Sequence, residues 1–167
     1  MNNQSQKVLL TGATGFVGSS ILQRVSADPR FAAVAAVRRL PAPLGVEQCA
    51  EVFTVGDLAV NTDWTAALVD VDIVIHAAAR AHIMSDEALD PLVEYRRVNV
   101  DGTMALARQA VAAGAKRFIF ISSIGVNGNI NTAPFKETDA PAPAEPYAQS
   151  KHEAEIVTLK KRMTKTE

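Results

Sequence analysis

Tyr147 and Lys151 stand four residues apart in PYAQSK, in a stretch that reads as helix. At that spacing two side chains share one helical face about a turn apart. The chain has only two tyrosines, so a chance pairing of this kind is disfavoured. A phenol beside an ammonium can take and return a proton near neutrality, but it needs help. Its pKa of about 10 must fall by about 3 units, which takes roughly 4 kcal/mol of differential stabilisation. One ammonium at ~5–6 Å and an effective dielectric of about 20 supplies about 3 kcal/mol before desolvation is subtracted. A second positive charge nearby would complete the shift. Ser122-Ser123 ends the apolar run RFIFIS, and a strand end is where open α/β sheets bind ligands. Ser123 is the residue expected to hydrogen-bond the reacting oxygen. The plain alternative is an exposed Tyr–Lys pair on an amphipathic helix.

A second chemical signal lies near the N-terminus. Thr11-Gly12-Ala13-Thr14-Gly15-Phe16-Val17-Gly18 follows an apolar strand and opens a helical pattern, with its glycines at GxxGxxG spacing. Gly12 permits the tight turn, Gly15 lets backbone approach a pyrophosphate, and Gly18 allows helix and strand to touch. An anion then rests on the free N–H groups of the helix start. No Gly-Lys-Ser/Thr follows, which excludes a P-loop. Dinucleotide folds place an acid about 20 residues further on, for the adenosine ribose; here Arg38-Arg39 stands there. A guanidinium can pair with a 2′-phosphate, so the reading leans to NADP over NAD, though arginines stacking on adenine would serve NAD equally well. Asp57-Leu58 is placed to bracket the adenine, or is a plain turn after Gly56.

These residues need a scaffold that brings strand ends together, and the pattern supplies one. Strands are read at Lys7–Thr11, Phe31–Val37, Glu51–Val55, Asp72–Ala77 and Arg117–Ser122. Helices are read from Phe16 to Ala27, over Asp63–Leu68, from Leu89 to Ala113 with Gly114 as C-cap, and from Tyr147 onward. Strands with few polar residues, joined by helices, predict an α/β fold: a Rossmann-type doubly wound parallel sheet in three layers, αβα. Residues 138–146 carry three prolines and read as an extended surface loop; residues 163–167 read as a disordered tail.

Composition narrows the class. Of 167 residues 48% are apolar, and 17 basic side chains face 18 acidic ones. That is one globular domain, 1–167, with no basic block to attract nucleic acid and no run long enough to cross a membrane. The N-terminus does not read as a signal peptide, and a cytoplasmic location is expected. A single cysteine, Cys49, excludes an internal disulfide and a Cys-rich zinc site, so no metal is expected.

Taken together, the motifs resemble the extended short-chain dehydrogenase/reductases, the NAD-dependent epimerase/dehydratase family of nucleotide sugars. They run in family order: TGATGFVG at 11–18, GDL at 56–58, HAAAR at 76–80, NVDGT at 99–103, FIFISS at 118–123 and PYAQSK at 146–151. The resemblance implies Ser123, Tyr147 and Lys151 as the catalytic set, with Lys151 binding the cofactor as well. It implies Phe16 and Val17 along the pyrophosphate, Asp57 and Leu58 at the adenine, and Ala77, Ala78 and Ala79 along the cofactor. It places Asn99 near the active site and among the cofactor-binding residues, where residue type alone would make it an ordinary polar helix residue and His76 a satisfied strand-end histidine. Segments such as Ala81–Met84 and Tyr95–Asn99 are most similar to bacterial enzymes of surface-polysaccharide synthesis. Such enzymes are 4-epimerases or 4-keto reductases acting on UDP-hexoses or UDP-N-acetylhexosamines.

Members of that family are about twice as long. The chain therefore reads as a truncated or excised N-terminal piece that lacks the C-terminal substrate domain, with weak cofactor binding and slight or no sugar turnover. Three functions follow: an enzyme working at C4 of a UDP-sugar, a cofactor-binding module without turnover, or a dehydrogenase of small carbonyls. The resemblance also implies a homodimer paired through the two long helices, about 89–113 and 147–162.

Overall fold

A computed structural model describes residues 5–40, 45–81 and 90–160. The tail at 163–167, the His82–Met84 part of the polysaccharide-enzyme likeness, the Leu89 start of the long helix and the far end of the last helix lie outside them.

Five parallel strands form one sheet in the order β3-β2-β1-β4-β5. They are β1 (Gln6–Thr11), β2 (Phe31–Val37), β3 (Glu51–Thr54), β4 (Ile73–His76) and β5 (Arg117–Phe120). All five expected strands are present, some a residue or two shorter than their apolar runs. The order reverses between β1 and β4, which is where a doubly wound sheet opens a crevice at its carboxyl edge.

Alternation along the strands builds two cores. Leu9, Val34 and Val74 face one side with Leu106 and Ala110 of α3 (Thr103–Ala112), together with Trp64 and Leu68. Their neighbours Leu10, Ala33 and Ala35 face the other side and pack on Leu22 of α1 (Phe16–Ser26). Successive strand residues point to opposite faces, so a sheet covered on both sides needs apolar residues at nearly every position. Here β2 reads FAAVAAV for that reason.

Two expected helices differ in detail. Asp63–Leu68 is a series of turns rather than a helix. Leu68 N–H bonds Trp64 O at 3.0 Å, while Trp64 N–H donates to the Gln109 side chain at 2.9 Å and Thr65 N–H to Asp63 at 2.9 Å. One turn so tethered has too few residues to propagate a helix. The long helix begins at Pro91, capped by the Asp90 carboxylate, which accepts from Leu92 and Val93 N–H. It runs as α2 (Pro91–Arg96), passes through a π-helical turn at Arg97–Gly102, and continues as α3. The expected Gly114 cap is present: Gly114 has φ +85°, and Ala115 N–H bonds Ala110 O while Gly114 N–H bonds Val111 O, the paired pattern of a Schellman ending. Pro146 opens α4 (Pro146–Lys160), which packs on α2 and the π turn.

The carboxyl ends of β1 and β4 are joined by a fully buried histidine. His76 Nδ1 lies 2.6 Å from Thr11 Oγ1 and Nε2 lies 2.9 Å from Thr103 Oγ1. Proton directions follow from the outer partners. Thr103 donates its hydroxyl proton to Asn99 O at 2.6 Å, so it accepts from His76 Nε2–H. Nδ1 is then bare and accepts from Thr11, whose oxygen accepts Ala78 N–H at 3.2 Å. One neutral tautomer satisfies every member. Burial, with Lys151 nearby adding its charge, pushes the imidazole down to about 3.

Two measurements test this core. Leu106 is fully buried, and Leu106→Ala is expected to cost about 3 kcal/mol in urea unfolding; a loss below about 1 kcal/mol would show that this face is loosely packed. For His76 the folded pKa lies below the unfolded value of about 6.5. The unfolded chain therefore binds a proton that the native state refuses, and stability falls as pH drops from about 6.5 towards 3. Between pH 7 and 5 this group alone removes about 2 kcal/mol. A His76→Asn variant is expected to lose that part of the pH dependence, and nitrogen NMR of the native chain to show a single Nε2–H imidazole.

Candidate active site

The glycine loop folds tightly against the end of β4. Gly12 has φ +70°, and a Cβ there would sit 2.6 Å from Ala78 N and 2.7 Å from the Ala77 carbonyl carbon. A Cβ on Gly18 would fall 1.9 Å from Gly12 O. Glycine is therefore required at both positions by backbone contact. Gly15 is the N-cap of α1 and has no side chain to bond the helix start. The first bond across the turn is Ser19 N–H to Gly15 O at 2.8 Å, which leaves the N–H groups of Phe16, Val17 and Gly18 without an intrahelical partner.

That turn opens into a cleft of about 750 Å³ along the carboxyl edge of the sheet. Gly12, Thr14, Gly15, Arg38, Arg39, Asp57, Leu58, Ala77, Ala78 and Ala79 all line it, as does Trp64, the chain's single tryptophan. The cleft thus gathers most of the residues read from sequence as cofactor-binding. Phe16 and Val17 lie beside it on the exposed start of α1, bordering a separate shallow hollow, and Gly18 is buried behind them. The loop has the shape a pyrophosphate requires: an uncapped helix start, and a floor where any side chain would intrude.

At the far end, Arg38 does not stand free for a 2′-phosphate. Its guanidinium lies 3.9 Å from the Asp57 carboxylate, and both groups are exposed. The carboxylate shares the arginine's charge and adds a repulsive one, so the geometry gives the NADP lean no support.

Asn99 differs from its expected place along the cofactor. It is buried in the π turn, and its amide is fully engaged with protein. Its Oδ1 accepts Arg80 N–H at 2.8 Å, while Nδ2 donates to Arg80 O at 3.0 Å and to Ser150 Oγ at 3.0 Å. Ser150 in turn donates to Tyr147 O at 2.7 Å. Asn99 is therefore a clasp between the loop after β4, which lines the cleft, and α4, which carries Tyr147 and Lys151. The π turn is what aims it inward, since one extra residue per turn rotates the helix face. Ser150, Thr103 and Arg80 were not singled out from sequence, although each lies inside a quoted motif; their spacing alone carries no sign of these partners.

Ser123, Tyr147 and Lys151 lie beyond the cleft lining, on the α4 side. Ser123 caps a short 3-10 turn, Ile124–Val126, and its Oγ accepts Gly125 N–H at 3.2 Å. A Cβ on Gly125 would stand 3.5 Å from that oxygen and 3.4 Å from Ala148 Cβ, which places the serine turn against the first turn of α4. The Tyr147 ring meets Tyr95 of α2 edge-on at 6.0 Å, and Arg80 lies 5.6 Å over the Tyr95 ring. Lys151 is buried, and burial pulls its ammonium down to about 8.

The expected electrostatics need correction here. Tyr147 is raised, not lowered: burial of the phenol dominates, and Tyr95 adds to it. Desolvation penalises the charged form of both members of the pair. On the protein's own groups alone, Tyr147 is a proton donor at neutral pH, and only further positive charge beside it would make it a base.

Comparison with known proteins agrees with this geometry. Residues 8–165 match the model of the NAD dependent epimerase/dehydratase family. A UDP-glucose 4-epimerase of Vibrio cholerae is 42% identical over 160 residues, covering 93% of this chain and 48% of the relative. A dTDP-D-glucose 4,6-dehydratase of Mus musculus is 32% identical over 163 residues, covering 90% and 44%. Among solved structures, MoeE5 in complex with UDP-glucose and NAD superposes with TM-score 0.77 at 32% identity, covering 92% of this chain and 48% of that one. The chain spans about half the length of the curated relatives it matches. With its glycine loop, clasped helix and paired motifs, the chain belongs to the NAD dependent epimerase/dehydratase family.

Proposed function

We propose that this chain binds NAD and carries the acid–base residues of a nucleotide-sugar epimerase or dehydratase, working at C4 of a UDP-hexose or UDP-N-acetylhexosamine. The observation that carries the reading is the Asn99 clasp, because it ties the cleft-lining loop at Arg80 to the helix of Tyr147 and Lys151. Gly12, Thr14, Gly15, Phe16 and Val17 would hold the pyrophosphate. Asp57 and Leu58 would hold the adenine, and Ala77–Ala79 would lie along the chain of the cofactor. The Arg38–Asp57 pair favours NAD over NADP, and MoeE5, a similar structure, was solved with NAD.

When bound, the nicotinamide supplies a hydride acceptor and a positive charge. Tyr147 would take the proton of the substrate's C4 hydroxyl and return it to that oxygen at the end of the cycle. Ser123 donates a hydrogen bond to the reacting oxygen. Lys151 would hold a positive charge one helical turn from the phenol. The family's homodimer would form on the outer faces of the long helices, where Val93 and Val111 are exposed; a free Cys49 suits a cytoplasmic location.

Trp64 makes binding directly measurable. NAD is expected to change its emission saturably and, at 100 times its Kd, to add about 2.7 kcal/mol to unfolding stability. NADP is expected to bind more weakly, and Asp57→Asn to narrow that difference. No response to either dinucleotide would overturn the reading. A second experiment concerns the phenol. On adding UDP-glucose to the NAD-loaded chain, nicotinamide reduction is expected to be slow, and Tyr147→Phe to lower it by about 100-fold or more with NAD affinity unchanged. Equal reduction by both forms would remove Tyr147 from the chemistry.

A further inference from the structure

Among the described residues, Lys151 is a buried charge without a counter-charge. The residue is 2% exposed, yet it forms no ion pair among the described residues. The charged or titratable groups around it are few. Tyr147 and Glu155 flank it on α4, and Glu155 favours the ammonium only through space. His76 approaches from β4, where it feels the lysine charge, and Tyr95 of α2 stands behind Tyr147. His76 stays neutral above about pH 3, so it offers the ammonium no compensation.

An aromatic ring occupies the place a carboxylate would usually take. Lys151 Nζ stands 3.9 Å from the centroid of Phe120, the last residue of β5. The same ring stacks on His76 at 5.9 Å with 29° between planes, and the parallel register pairs these two residues across β4 and β5. The ring is therefore held by the sheet itself. The face of a benzene ring carries negative quadrupole density and attracts a cation, most strongly where water is excluded.

The choice of partner has a consequence for the chemistry. A carboxylate against Nζ would cancel most of the ammonium's field a few ångströms away, since a close opposite pair acts only as a dipole. A neutral ring holds the cation and leaves its unit charge intact. We propose that Phe120 is a positioning residue for Lys151, holding the ammonium on its ring face in place of a counter-ion so that its charge stays uncancelled on the helical face it shares with Tyr147. This rests on the reading of Tyr147 and Lys151 as the acid–base pair.

The test follows the Lys151 titration in the full chain without dinucleotide, by carbon NMR of its Cε, assigned with Lys151→Arg. Phe120→Leu is expected to lower the midpoint from about 8 by about half a pH unit or more, and Phe120→Tyr to keep it. Replacing Phe120 by its mono-, di- and trifluorinated forms keeps the ring's shape while draining its face of negative charge, and is expected to lower the midpoint in steps. That series decides the matter even if the leucine variant fails to fold. A midpoint unmoved across the fluorinated series, with Trp64 emission unchanged, would reduce Phe120 to a space-filling residue and overturn the proposal. Absence of NAD binding would overturn the dinucleotide reading while leaving the titration result to stand.

Discussion

The structure depends on a neutral imidazole holding two strand ends together. His76 receives a proton from Thr11 on β1 and gives one to Thr103 at the start of α3, and the outer members of the chain fix the direction of both bonds. A buried polar group without partners costs roughly 1–3 kcal/mol, so a half-satisfied version of this network would be worse than an apolar one. Because every member is satisfied, the joint is rigid. It also sets the level of the Ala77-Ala78 backbone, against which Gly12 makes its close turn. The phosphate-binding shape of the loop is thus a consequence of how β1 and β4 are fastened beneath it.

The same network extends to the other half of the site. Thr103 bonds the carbonyl of Asn99, and the Asn99 side chain reaches both the Arg80 backbone and Ser150. A regular α-helix through this segment would turn Asn99 to a different face. The π turn spanning Arg97–Gly102 gives up regular hydrogen bonding to aim one amide. Such turns are often found where a functional residue must be placed. From β1 to α4, the connection runs through Thr11, His76, Thr103, the backbone and side chain of Asn99, and Ser150.

Burial sets the charges of the pair. Burial raises Tyr147 and lowers Lys151, each moving towards its uncharged form. A chain with these properties holds its phenol protonated near neutrality and keeps its amine close to its own titration point. That state suits a proton donor, and it becomes a proton acceptor only when positive charge arrives next to the ring. At the opposite end of the cleft, Arg38 and Asp57 face each other across open solvent, where ion pairs contribute little to stability.

What the amino-acid sequence determined by itself was whatever depends on local spacing and chain order. The five strands follow from short apolar runs, the α1 start from three glycines, the Schellman ending from Gly114, and the Tyr–Lys pair from a four-residue interval. Membership of the family followed from motifs in sequence. The tertiary structure decided everything that depends on a partner distant along the chain. It held Asp63–Leu68 to a series of turns, with the Trp64 N–H fastened to Gln109. It moved Asn99 from the cofactor to a clasp, turned Arg38 towards Asp57, fixed the tautomer of His76 and reversed the expected shift of Tyr147. Hydrogen-bond partners and desolvation are set by what surrounds a group in space, and periodicity along a chain carries no record of them.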